Sequence, residues 1–142
     1  MGKRVYIAVI ADVVGSRSVT NRAAFQRRLV RAITSINKSY AQTIASRFIL
    51  TVGDEFQGLL AATDQIVPIL ASLRSGIHPV ELRFGVGVGS LDTPLREEAL
   101  GMDGECFHFA RSGLQRAAQR GTPVGVEARA EQEPFSIYAL LY

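Results

Sequence analysis

The sequence predicts an α+β domain with a split βαβ core, a ferredoxin-like sheet carrying its helices on one face. Two observations lead there. Apolar runs of strand length alternate with stretches of helical periodicity in the order β-α-β-β-α-β-α-β. Two of those strands are separated only by the short acidic turn Gly53-Asp54-Glu55, a hairpin signal. The sequence contains no internal repeats or low-complexity segments, which removes solenoid and fibrous architectures.

The first strand, Val5 to Ala11, runs straight into Asp12 and is followed by Val13, Val14, Gly15 and Ser16. A polar connection leads to a long helix in which Phe25, Leu29, Ile33, Ile36, Tyr40 and Ile44 recur at helical spacing as one buried stripe. Thr20 or Asn21 is its expected N-cap. Arg27, Arg28, Arg31 and Lys38 occupy the opposite face, where they either solvate the helix or meet phosphate. The hairpin strands, Phe48 to Val52 and Phe56 to Leu60, come next.

Thr63 and Asp64 then open a second helix with Ile66, Ile69, Leu70 and Leu73 inside; Pro68 falls early enough to be tolerated. The strand Val80 to Ser90 carries Gly85, Gly87 and Gly89 at alternate positions. Such a row clears one face for a ligand, for another backbone, or for a helix packed tightly above it. After a loop with a short helical turn over Pro94 to Leu100, a third helix spans 105–120, with Phe107, Ala110 and Leu114 inside. Gly121, Thr122 and Pro123 stop it. A short strand at Val124 to Val126 and a last strand at Phe135 to Tyr142 complete the order. The chain ends inside that last strand, as a piece cut from something longer would.

With 142 residues the chain is long enough for one domain with a real core, taken as 1–142. Charge and glycine break every apolar run well short of a membrane span, and the apolar stretch after Lys3-Arg4 lacks a cleavage site, so a cytoplasmic location is expected. A single cysteine, Cys106, excludes an internal disulfide and suits a reducing compartment. With no general base identifiable beside it, Cys106 reads as a small buried residue rather than a nucleophile. One Cys and two His give no zinc site. The net charge of +3 is compatible with phosphate ligands.

Chemistry concentrates where strands end. An acid closing a buried strand, Asp12, and an acid on a hairpin tip, Asp54, suit a hard divalent cation, Mg²⁺ or Mn²⁺, with the carbonyl of Val13 beside them. The turn Val14-Gly15-Ser16-Arg17 offers backbone N–H groups to phosphates. Arg111 and His108, three apart on one helical face, are candidates to meet developing negative charge, although such residues more often form structural pairs. The bland alternative for the hairpin is a surface turn whose acids only solvate its tip.

These motifs carry a resemblance. Ala11 to Ser16 resembles the first-strand metal motif of class III nucleotidyl cyclases, and Thr51 to Glu55 resembles their hairpin with its second metal aspartate. Asp12 and Asp54 are 42 residues apart, close to that family's spacing. Taken together, Asp12 to Arg17, Gly53 to Gly58, Arg83 to Gly89 and Gly101 to Gly104 resemble the bacterial SatD family over nearly the whole chain. The cyclase resemblance implies a cyclase-like fold, metal ligands at Asp12, Val13 and Asp54, nucleotide contacts around Val14 to Arg17 and Gly53, and a homodimer. SatD members commonly carry a C-terminal helix-turn-helix-like segment that this chain lacks; DNA is a partner only if such a segment is missing here.

Departures from true cyclases are as informative. Leu50 stands where a base-selecting Lys is usual, Gly101 where an Asp would read the base, and His108 where a transition-state Asn lies. Arg111 falls one residue short of the usual Arg, about 100° of helix rotation. Metal ligands kept with base readers lost argue against ordinary adenylyl or guanylyl cyclase activity. The expectation is a cation- and nucleotide- or phosphate-binding sensor domain; its rivals are a two-metal phosphoryl-transfer enzyme and a protein-binding scaffold with vestigial acids.

Overall fold

The computed structural model describes residues 4–129. Five strands form one mixed sheet: β1 (Val5–Val13), β2 (Ile44–Leu50), β3 (Phe56–Leu60), β4 (Leu82–Ser90) and β5 (Val124–Ala128), in the spatial order β2-β3-β1-β4-β5. β1 lies at the centre, antiparallel to β3 on one side and to β4 on the other, and β5 pairs parallel to β4. Both β1 and β3 are followed by a helix and a strand that skips one place in the sheet. That is the split βαβ arrangement the sequence predicts, and the α+β assignment holds. The predicted short strand is β5; the strand predicted at Phe135 to Tyr142 lies outside the described residues.

Helix α1 (Arg22–Ser39) starts at Asn21, whose Oδ1 accepts from the Ala24 N–H at 3.2 Å. It buries Phe25, Leu29, Ile33 and Ile36 as its stripe predicts, but it stops at Ser39. Ile44, assigned to that stripe by its spacing, instead begins β2, because the chain turns over Tyr40 to Thr43. Helix α2 (Ile66–Ile77) accommodates Pro68 in its first turn, where no intrahelical donor is lost. Helix α3 (Glu105–Arg120) ends at Gly121 in the left-handed conformation.

The helices do not all share one face. α1 and α2 cover the face formed by Ile7, Val9, Ala11, Phe84, Val86 and Val88. α3 packs on the other, against Tyr6, Ala8, Ile10 and Leu59. The reason is the row of glycines in β4. A Cβ on Gly85 would overlap the Ala110 carbonyl, one on Gly87 the Cys106 carbonyl, and one on Gly89 would lie 2.8 Å from Glu105 Oε1. Gly113 of α3 and Gly125 of β5 continue the contact, each excluding a side chain on the other. The glycine-cleared face is therefore filled by the chain's own helix, the tight-packing alternative. Because α1 and α3 sit on opposite faces, the β1–α1–β2 and β4–α3–β5 crossovers have opposite hands. The usual right-handed rule, which implies a single helical layer here, is broken by one of them.

Pro94 to Leu100 does not form the predicted helical turn. The segment is irregular and meets the edge of β2 at one isolated bridge, where Arg47 N–H donates to the Glu97 carbonyl at 2.8 Å and Ala99 N–H to the Arg47 carbonyl at 3.0 Å. Gln57 Nε2 holds it from β3 through the Ala99 carbonyl at 2.6 Å. An open strand edge offers unpaired backbone groups, and that pairing outweighs weak local helix propensity. No helix among the described residues is long and apolar enough to cross a membrane.

Candidate functional site

β1 ends at the same end of the sheet as the β2–β3 turn, so Asp12 and the turn acids gather there. Ala11 pairs with Phe56, which brings Glu55 level with Asp12. On the other flank Asp12 pairs with Arg83 of β4. Side chains alternate along a strand, and Asp12 has the parity of Tyr6, Ala8 and Ile10, so it stands on the α3 face.

The same alternation separates the two acids of the turn. Gly53 takes a positive φ of 59°, and the turn closes through Glu55 N–H to the Val52 carbonyl at 2.9 Å. Asp54 then points to the α1 side, where it is buried to 5% side-chain exposure. One carboxylate oxygen accepts from Arg22 Nη2 at 2.8 Å and the other from Gln26 Nε2. Glu55 points to the α3 side and pairs with Arg111 Nη2 at 2.5 Å.

Asp12 therefore has Arg83, Glu55 and Arg111 as its charged surroundings, while Asp54 is engaged by α1. Burial raises the Asp12 carboxyl above its ordinary value of 3.8; Glu55 adds to the rise and Arg83 and Arg111 oppose it. Its Oδ1 is buried and makes no hydrogen bond. An orphaned carboxylate oxygen is costly unless something supplies positive charge or a donor, and it is the feature here that best fits a cation. Among the described residues no three His, Cys, Asp or Glu side chains come close enough to form a metal cluster by themselves.

The remaining predicted residues fall as follows. Val13 is buried in β1. The Val14 N–H is taken by the Glu81 carbonyl at 2.9 Å, so the donors left in the turn are those of Gly15, Ser16 and Arg17. Gly15 is left-handed with φ 67°, and a short 3-10 turn over Ser16–Ser18 follows it. His108 diverges from Arg111: its Nε2 lies 3.1 Å from Asp103 Oδ1, both side chains being exposed. Cys106 is fully buried in the first turn of α3, facing the sheet, and burial pushes its thiol up to about 11, which makes it inert. Glu55, Arg83, Arg22 and Gln26 were not singled out from sequence. Strand parity alone would have found Glu55, since adjacent residues in an extended turn must face opposite ways.

This fold is that of nucleotide cyclase catalytic domains. The chain superimposes on a bacterial light-regulated adenylyl cyclase with a TM-score of 0.62 at 14% identity, covering 87% of this chain and 74% of that one. The guanylate cyclase domain of RhGC from Catenaria anguillulae in complex with GTP gives 0.64 at 12% identity, covering 96% and 81%. The diguanylate cyclase SiaD of Pseudomonas aeruginosa, solved with its activator SiaC, gives 0.59 at 18% identity over 88% of this chain and 50% of that one. Comparison with curated proteins finds no match. The pattern defining the SatD family matches residues 6–125, and the chain belongs to that family.

Proposed function

We propose that this cyclase-like SatD domain binds a divalent cation together with a nucleotide or related phosphate, and acts as a sensor or regulatory domain rather than as an efficient cyclase. The observation that carries the reading is the buried, unpartnered Oδ1 of Asp12 at the end of the central strand, beside the acidic turn. Asp12 and the Val13 carbonyl would hold Mg²⁺ or Mn²⁺, and Asp54 would join them by releasing Arg22 and Gln26 and turning from the α1 side of the strand end toward Asp12. When bound, the ion neutralises phosphate charge and orients it. Gly15, Ser16 and Arg17 would receive phosphate oxygens on their N–H groups, and Gly53 gives the turn the conformation that directs its acids.

The rival, a two-metal phosphoryl-transfer enzyme with altered base choice, draws support from Arg111, a cation projecting from α3 to within reach of Glu55. His108, committed to Asp103, adds nothing to it. A homodimer would complete either version by bringing a second chain's helix residues to the site. A thermal-shift screen of nucleoside triphosphates with and without Mg²⁺ or Mn²⁺ tests the proposal, since a ligand bound only by the folded state raises the midpoint. Metal-dependent shifts without cyclic product are expected. Turnover at ordinary enzymatic rates would make the rival correct, and no shift with any nucleotide or metal would leave the scaffold reading.

A further inference from the structure

We infer that the outer face of α1 is a docking surface for double-stranded nucleic acid, separate from the proposed metal site and, in contrast to the expectation from sequence, independent of any C-terminal segment. The sequence segregates its charge. Five of the sixteen basic residues and none of the thirteen acids lie in α1, so the remainder of the chain carries −2 within a total of +3. Two of the five are committed elsewhere: Arg22 to Asp54, and Arg28 to the carbonyls of Gly76 and His78 at the end of α2.

The other three, Arg27, Arg31 and Lys38, are exposed and have no partner among the described residues. With Thr34 they form one line, since steps of four, three and four residues keep them within about 60° of each other around the helix. The line is about 16 Å long at 1.5 Å per residue, the rise of roughly five base pairs. The apolar side of α1 is sealed against the sheet through Phe25, Leu29, Ile33 and Ile36, so the charged line faces outward.

Chemistry selects the occupant. An anionic membrane would need an apolar face to insert, and α1's is buried in the core, leaving Val30 as its one large apolar side chain exposed on the outside. A protein partner would need an apolar or aromatic anchor, which the line also lacks. A duplex needs neither. Its regularly spaced phosphates are held by cations and hydroxyls, with counterion release as the driving force.

The test is fluorescence anisotropy of a labelled DNA duplex titrated with the full chain across a salt series. The parent should bind at low salt with a log–log slope of about −2.7, a loss of roughly fortyfold between 50 and 200 mM salt for three phosphate contacts. The triple variant Arg27→Ala/Arg31→Ala/Lys38→Ala should lose at least about tenfold in affinity and most of that slope. A control with the same charge change elsewhere, Arg74→Ala/Arg96→Ala/Arg120→Ala, should bind as the parent does; circular dichroism verifies that both variants are folded. Equal losses in the two variants would reduce the effect to net charge and overturn the assignment to α1. Absence of binding at low salt, or tighter binding to phosphatidylserine vesicles than to the duplex, would overturn it as well.

Discussion

On one side of the sheet Phe56, Phe84, Ile69 and Leu73 fill the space beneath α1 and α2, all of them fully buried. On the other side Gly85, Gly87 and Gly89 leave that space empty, and the backbone of α3 lies directly on the strand. The first face holds its helices by apolar area, a non-directional term that tolerates small shifts. The second holds its helix by steric fit, which fixes the height and rotation of α3 on β4. The site needs the second kind of contact. Arg111 reaches Glu55 beside Asp12 only if α3 keeps its register, whereas the α1 side has merely to cover Asp54.

Truncating the apolar face should have the largest effect. Phe84→Ala removes a fully buried ring and should cost about 3–5 kcal/mol in chemical denaturation. A cost below about 1 kcal/mol would mean that this face is not the main core. Next to Phe84, on the opposite face, Gly85→Ala adds a single methyl where the Ala110 carbonyl already sits. Because backbone must move, about 3 kcal/mol is expected, the upper part of the range for overpacking. A neutral Gly85→Ala would break the comparison outright.

Arg22→Ala should be milder. It removes one of two partners from the buried Asp54 carboxylate, but Arg22 itself is half exposed, so about 1–2 kcal/mol is expected. The same variant sharpens the functional proposal: with Asp54 short of a cation, Mn²⁺ should raise its thermal midpoint more than it raises the parent's. An identical Mn²⁺ response in the two proteins would separate Asp54 from any metal site.

Asp12→Asn should give the smallest effect, and one of opposite sign. Burial raises the Asp12 carboxyl above 3.8 in the folded protein, so the unfolded chain releases its proton first as pH rises. Stability is therefore lost as pH climbs from that ordinary value through the folded one, and the loss persists at neutral pH. Without metal, Asp12→Asn should be slightly more stable than the parent at pH 7 and no more stable near pH 3, measured by the difference in thermal midpoint. The order should reverse with excess Mn²⁺. A parent that is the more stable at pH 7 without metal would show that the Asp12 carboxylate is satisfied by Arg83 and Arg111.

Much of this was legible in the chain. Local periodicity located α1 through Phe25, Leu29, Ile33 and Ile36, and the glycine stop at Gly121 marked the end of α3. The hairpin, the strand ending in Asp12 and the β4 glycines were likewise visible, because each depends on neighbours within a few residues. Ile44 misled, since a stripe at helical spacing cannot report that the chain has already turned. Pro94 to Leu100 misled because its structure comes from the distant edge of β2.

What only the tertiary structure decided is which face each element covers. The glycine row announces a close approach but cannot name the approaching backbone; α3 occupies it because Gly113 and Gly125 complete the fit. The hairpin sequence announces two acids but not their directions. Phe56 and Leu60 must face the core beneath α1, and that sets the parity of the hairpin strand. Parity then carries Asp54 to α1 and Glu55 to Asp12, because consecutive residues of an extended chain point to opposite sides.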